Sequence, residues 1–286
     1  MAVTLGSNIA SFRAQRSLNL TTQRLSDVYQ KLSSGQRINK ASDDAAGLAI
    51  ADSLRAQQRV ATVAIRNSND GVSAIAIADS ALAEIGNTLS RLAELSEQSA
   101  NGVFSTTQRS ALSNEFVALS SEIERISFTT EFNGVKLISG AATLTLQVGF
   151  NSASTSQISF SGVSGSLQSL GLAAAGSSEL IYSLNGGSIE LGQSASRAAL
   201  DAINTAIASL AQTRGTLGAA ESRLNVAITN LSVARENFAS AESQIRDTDV
   251  AQQAAELTRL GILQQAGAAV LAQANQQPAL SLSLLG

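Results

Sequence analysis

Histidine, cysteine and tryptophan are all missing from this 286-residue chain. Their absence removes every Ser-His and Cys-His nucleophile pair, zinc sites of the usual ligand set, and disulfides. Packing alone must hold the fold, and cysteine usage says nothing of the compartment. Aromatic residues make up 3% against 44% apolar. Alanine and leucine therefore carry the hydrophobicity, which suits close helix packing better than a core built on rings. The single proline, Pro278, leaves long helices almost unopposed. A formal charge of -3 advertises neither nucleic acid nor anionic lipid. Runs of about eighteen apolar residues, which a membrane-spanning helix needs, do not occur. The N-terminal MAVTLGSNIASF is too polar for a cleavable signal peptide.

Periodicity is strongest in the second half. Ile203, Ile207, Leu210, Leu217, Leu224, Ile228, Leu231, Phe238 and Ile245 follow steps of four and three. That spacing predicts a long helix seeking helical partners. Leu112, Phe116, Leu119, Ile123 and Ile126 repeat the step behind a capping box, STTQ at Ser105–Gln108. Another stripe runs through Ile75, Ala78, Leu82, Ile85, Leu89 and Leu92, and NGVF (Asn101–Phe104) would reverse the chain between those two helices. The fold class expected is mainly α: a long antiparallel bundle and coiled-coil termini, with a small β-hairpin region mid-chain.

In that middle region TLTLQV (Thr143–Val148), ISF (Ile158–Phe160) and LIYSL (Leu180–Leu184) alternate with period two. Asn133-Gly134 and Asn185-Gly186-Gly187 are turn signals of hairpin type. A β-rich segment is expected over about 131–193, with helix resuming near Ser194.

The ends of the chain resemble each other. Leu18, Leu25, Val28 and Leu32 share one helix face, and Leu257, Leu260, Leu263 and Val270 are expected to share another. Charged breaks set both apart: GQRINKASDD (Gly35–Asp44) and RDTD (Arg246–Asp249). Residues 1–40 plus 248–286 are thus expected to form a terminal coiled-coil domain, and 41–247 the bundle domain, with no sizeable separate outer domain. Two helices cannot bury all their apolar surface. The tail from Leu260 to Gly286 carries no charge, so its cover must come from elsewhere.

No catalytic, cofactor or metal site is expected. Asp43-Asp44 reads as a helix start with Ser42 as N-cap. No phosphate loop or GxSxG serine occurs. Arginines suit helix-surface and interfacial ion pairs. The triplets at Asn19 and Asn230 fall on predicted helices, and the serine-rich stretch Ser152–Ser169 reads as a polar loop rather than a site for O-linked sugar.

KLSSGQRINKASDDAAGLAIADSLRAQ (Lys31–Gln57), NSNDGVSAIAIADSALAEI (Asn67–Ile85), EQSANG (Glu97–Gly102) and FNGVKLISG (Phe132–Gly140) resemble the N-terminal half of bacterial flagellin. The stretch from Ser222 to Pro278, ending LAQANQQP, resembles its C-terminal half. The likeness spans nearly the whole chain and is weakest over about 151–195. It implies a non-enzymatic subunit that is exported unfolded through a type III apparatus and self-assembles into the extracellular filament used for motility. The terminal helices would form the filament's inner core, with Leu18, Leu25, Leu32, Leu257, Leu260, Leu263, Val270 and Leu271 at subunit interfaces. Implied partners are further copies of the chain, export machinery and chaperone, filament cap and hook-associated proteins. Neither nucleic acid binding nor membrane insertion is expected. Flagellins sensed by Toll-like receptor 5 present an arginine, a leucine and a glutamate, which align with Arg91, Leu95 and Glu115. Ala93 stands where receptor-active members usually carry a second arginine, and ordinary bundle surface is the competing reading. A hook-filament junction protein and a flagellin-like surface-binding protein remain as alternatives.

Overall fold

The computed structural model describes residues 7–140, 143–160 and 163–283, with side chains as far as Gln276. Residues 1–6, Ser161 and Gly162 of the serine-rich stretch, and 284–286 of the tail lie outside the described residues. The helices described are α1 (Ile9–Ser34), α2 (Ala45–Ala100), α3 (Thr106–Thr129), α4 (Ile189–Arg246) and α5 (Val250–Ser283). The strands are β1 (Glu131–Phe132), β2 (Val135–Lys136), β3 (Leu144–Gln147) and β4 (Gln157–Phe160). Two compact units result, 1–58 with 236–286 and 59–235, and both α2 and α4 contribute residues to each.

The second unit is built around α2. Its stripe Ile75, Ala78, Leu82, Ile85, Leu89 and Leu92 is buried throughout and joins Phe116 and Ile123 of α3 in one apolar cluster with Leu210, Leu217 and Leu224 of α4. On α4 the buried line differs from the line of large residues. Ala199, Ile203, Ala206, Leu210, Leu217, Ala220, Leu224 and Leu231 are buried, whereas Ile207 and Ile228 are only half-buried. Three small side chains, Ala199, Ala206 and Ala220, belong to the buried line, and the half-buried Ile207 and Ile228 flank it. A side chain at Gly86 of α2 would begin 3.3 Å from Leu210 Cδ2.

Local chemistry sets the ends of these elements. At α3, Ser105 Oγ accepts from the Gln108 amide (3.4 Å) while Gln108 Oε1 accepts from the Ser105 amide (3.0 Å), the reciprocal capping box. Asn133 and Gly134 take φ of 50° and 77° and turn β1 into β2. Strands β3 and β4 pair antiparallel with Leu146 opposite Ile158. Leu146 lies over Gly71 of α2, where a Cβ would stand 2.1 Å from Leu146 Cδ1, so any larger residue there would displace the leucine from its seat.

Two expectations in the middle are overturned. LIYSL forms no strand: Leu180 makes a single bridge to Ala173, and Ile181 N–H donates to Leu172 O at 3.1 Å. The alternation is real, since Leu184 is buried and Ile181 exposed. With no neighbouring strand among the described residues to complete a ladder, it yields an extended segment laid on the helices. Asn185-Gly186-Gly187 likewise reverses no hairpin. It leads into α4, whose first turn is capped by Ser188 Oγ accepting from Leu191 N–H (3.3 Å), so helix begins at Ile189 rather than near Ser194.

In the first unit, Asn8 caps α1 by accepting from Ser11 N–H at 3.0 Å, and Gly35 ends it in the left-handed conformation, φ 69°. The cap of α2 is Asp44, whose Oδ1 accepts from Gly47 N–H (2.9 Å); Ser42 lies two residues too early. Asp43 instead closes the preceding turn, with Oδ2 accepting from the amides of Asn39 and Lys40, each at 3.0 Å. Those two bonds favour its charged form and hold its carboxyl below the usual value of 3.8.

Candidate assembly surface

Helices α1 and α5 run antiparallel. Asn8 Nδ2 donates to Ala274 O at 2.7 Å, and Ser11 Oγ donates to Asn275 Oδ1 at 2.7 Å. Farther along, Gln36 and Asp247 pair as an isolated antiparallel bridge. The seam between the helices holds Leu18, Leu25, Val28 and Leu32 on one side and Leu257, Leu260, Leu271 and Ala274 on the other. Leu260, 1% exposed, is the most enclosed of them. Gly267 faces Leu18 across the seam, and a Cβ there would lie 3.4 Å from Leu18 Cδ1, an ordinary van der Waals contact.

The α5 stripe expected to share one face divides in two. Leu257 and Leu260 turn toward α1, but Leu263 and Val270 point away, Val270 being 59% exposed. Repeated steps of three fall about 60° short of a full turn each time, so the series drifts off the seam. The face that does meet α1 follows steps of four and three through Leu260, Gln264, Gly267, Leu271 and Ala274. Ile262 joins Leu263 and Val270 outside. Helix α1 is also two-faced: Ile9, Phe12 and Leu20 are exposed, Phe12 to 66%, while Leu18 and Leu25 face inward. Ile9, Phe12, Leu20 and Ile262 were not among the expected interface residues. Their signal in the sequence is an apolar residue lying off the main stripe, which periodicity searches discard.

The two charged breaks are stitched together. Arg37 N–H donates to Arg246 O (2.6 Å), Thr248 N–H to Gly35 O (3.0 Å), and the Arg37 guanidinium to Ile245 O (2.6 Å). Arg246 Nε donates to Gln36 Oε1 at 3.0 Å, and its Nη1 lies 3.5 Å from Asp52. On α5, Arg259 pairs with Glu256 and its hydrogen bond holds that carboxyl below the ordinary range.

The three residues aligned with receptor contacts do not form one exposed group. Arg91 bridges Glu94 (2.8 Å) and Glu115 (2.9 Å) on the surface of α2 and α3. Leu95 is 1% exposed and belongs to the apolar core.

Among the described residues no cluster of acidic side chains could hold a metal ion, and no helix is long and apolar enough to cross a membrane.

Residues 6–143 match the family model described as the bacterial flagellin N-terminal helical region, and residues 200–285 match the flagellin C-terminal helical region. Flagellin of Halalkalibacterium halodurans is 40% identical over 279 residues, which is 97% of this chain and 98% of that protein. Flagellin of Bacillus subtilis is 38% identical, again over 97% and 98%. The flagellar filament 33 kDa core protein of Treponema phagedenis is 34% identical with the same coverage. The junction-protein and surface-binding readings gain no support from these relatives. Two-faced terminal helices, a long apolar bundle, two matching family models and 40% identity over nearly the full length converge: the chain belongs to the bacterial flagellin family and is a structural, non-enzymatic subunit of the flagellar filament.

Proposed function

We propose that the α1–α5 unit, 1–40 with 248–286, forms the filament's inner core and that its outward faces are where copies of the chain meet. The single observation that carries this is the exposed apolar set on both helices: Ile9, Phe12 and Leu20 on α1, and Ile262, Leu263 and Val270 on α5. In one copy these side chains face water although the seam beside them is already filled. Leu18, Leu25, Leu32, Leu257, Leu260 and Leu271 shape each copy's seam, and Leu263 and Val270 are the direct contacts. Contacts between unlike surfaces propagate as an open helix where the rotation between copies does not close into a ring, which is the arrangement a filament requires.

Val270→Asp tests this. Burying one unpaired carboxylate between copies costs several kcal/mol, so the variant should keep its bundle and sediment as monomer. Filaments of normal length and yield from Val270→Asp would show that the α5 outer face is not buried between copies. Deleting Gly261–Gly286 should likewise leave a soluble, bundle-folded subunit.

Membership of the flagellin family supports extracellular placement, type III export with a chaperone, and contacts to cap and hook-associated proteins as parts of this reading. A two-helix unit of this size is marginal in isolation, which supports passage of the chain in an unfolded state. Recognition by Toll-like receptor 5 would rest on the exposed Arg91 and Glu115, with Leu95 supporting them from the core; binding of purified monomer to the receptor ectodomain, lost in Arg91→Ala, is the test.

A further inference from the structure

At the end of the second unit where α2, α3 and α4 meet, one charged side chain is wholly enclosed. Arg109, in the first turns of α3, is 0% exposed. Its Nη2 donates to Asn101 O just past α2 (2.9 Å), and its Nη1 donates to Ile189 O, the first residue of α4. No carboxylate pairs with it among the described residues, and its buried Nε has no hydrogen-bond partner there. Around it lies a knot of small polar groups. Ser196 Oγ donates to Ser99 Oγ (2.9 Å), Ser99 Oγ to Leu184 O (3.4 Å), and Asn185 Nδ2 to Ser110 Oγ (2.9 Å). Gly192 leaves room for the guanidinium: a Cβ there would stand 2.8 Å from Arg109 Nη1.

A guanidinium buried against neutral carbonyls has given up its hydration for their dipoles and for the negative end of α2. Opening the knot returns it to water, which offsets part of the cost. Apolar layers immediately below, at Leu92, Leu95 and Phe116, have no such compensation. We infer that Arg109 pins the turn at 101–105 to the start of α4, and that these segments open together as one cooperative unit ahead of the rest of the bundle. One side chain holds both, so neither can leave its seat without loosening the other.

Native-state hydrogen exchange on the full-length monomer decides it. Amides of 101–109 and 189–196 should exchange at one common rate, faster than those of 75–92. Arg109→Met should raise exchange in both segments by roughly a hundredfold, the order expected for losing the hydrogen bonds of a charged group, and leave 75–92 unchanged. Arg109→Lys should recover part of the protection. Gly192→Ala, which displaces the guanidinium without removing its charge, should reproduce the pattern and serves where Arg109→Met does not fold. Different rates for the two segments in the unaltered chain, or a uniform rise across the bundle in either variant, would overturn the pin.

Discussion

Single residues carry two separable kinds of stability here. Leu82 is wholly buried at the middle of the α2 stripe. Truncation to alanine removes both transfer free energy and packing, and should cost about 2–5 kcal/mol in denaturant unfolding. The charged residues act in a different range. Asp43 is held below its ordinary 3.8 by amide hydrogen bonds from Asn39 and Lys40, and Asp79 by its hydrogen bond with Arg214. A carboxyl with a depressed folded-state value stabilises above its unfolded value and loses that contribution as pH falls through the folded one. Melting temperature should therefore hold steady from neutral pH to about 4 and drop below it, with a shallower acid slope in Asp79→Asn. Because Asp79 and Arg214 are partly solvated, the change in that variant should be small.

Elements show where pattern reading succeeds and where it stops. All six stripe positions on α2 are buried, because a helix enclosed by two others keeps one apolar face along its length. The capping box of α3 and the turn at Asn133-Gly134 were equally readable, since each depends on atoms within a few residues. Reading α4 by its largest side chains finds Ile203, Leu210, Leu217, Leu224 and Leu231 but misses the alanines between them, as Ala206 is buried where Ile207 is half-buried. Ala206→Leu should consequently destabilise the bundle by about 1–3 kcal/mol through overpacking. Ile207→Ala should cost less. LIYSL failed as a strand for a related reason: alternation reports which side is buried, not whether another strand lies alongside.

For the whole molecule the useful contrast is between two apolar residues on one helix. Leu260 and Val270 are alike in sequence terms, yet Leu260 is enclosed by α1 and Val270 faces outward. Leu260→Asp should separate the α1–α5 seam within each monomer and show as lost helicity by circular dichroism. Val270→Asp should leave the monomer's helicity unchanged and act on polymerisation alone. Equal loss of monomer helicity in both variants would mean that Val270 belongs to the seam rather than to an outer face.

Composition and periodicity were sufficient for the class of this protein. A chain of alanine and leucine stripes, almost free of proline and without histidine or cysteine, is stabilised chiefly by helices packing on helices, and its residue runs place it among flagellins. Which face of each helix is inward, which alanines form the contacts, and that Arg109 is enclosed with no counter-charge among the described residues emerged from the folded chain. Periodicity constrains a helix relative to its own axis. The partner's distance and direction are properties of the packed molecule, and they turn one apolar stripe into an internal seam and leave its neighbour bare for another copy.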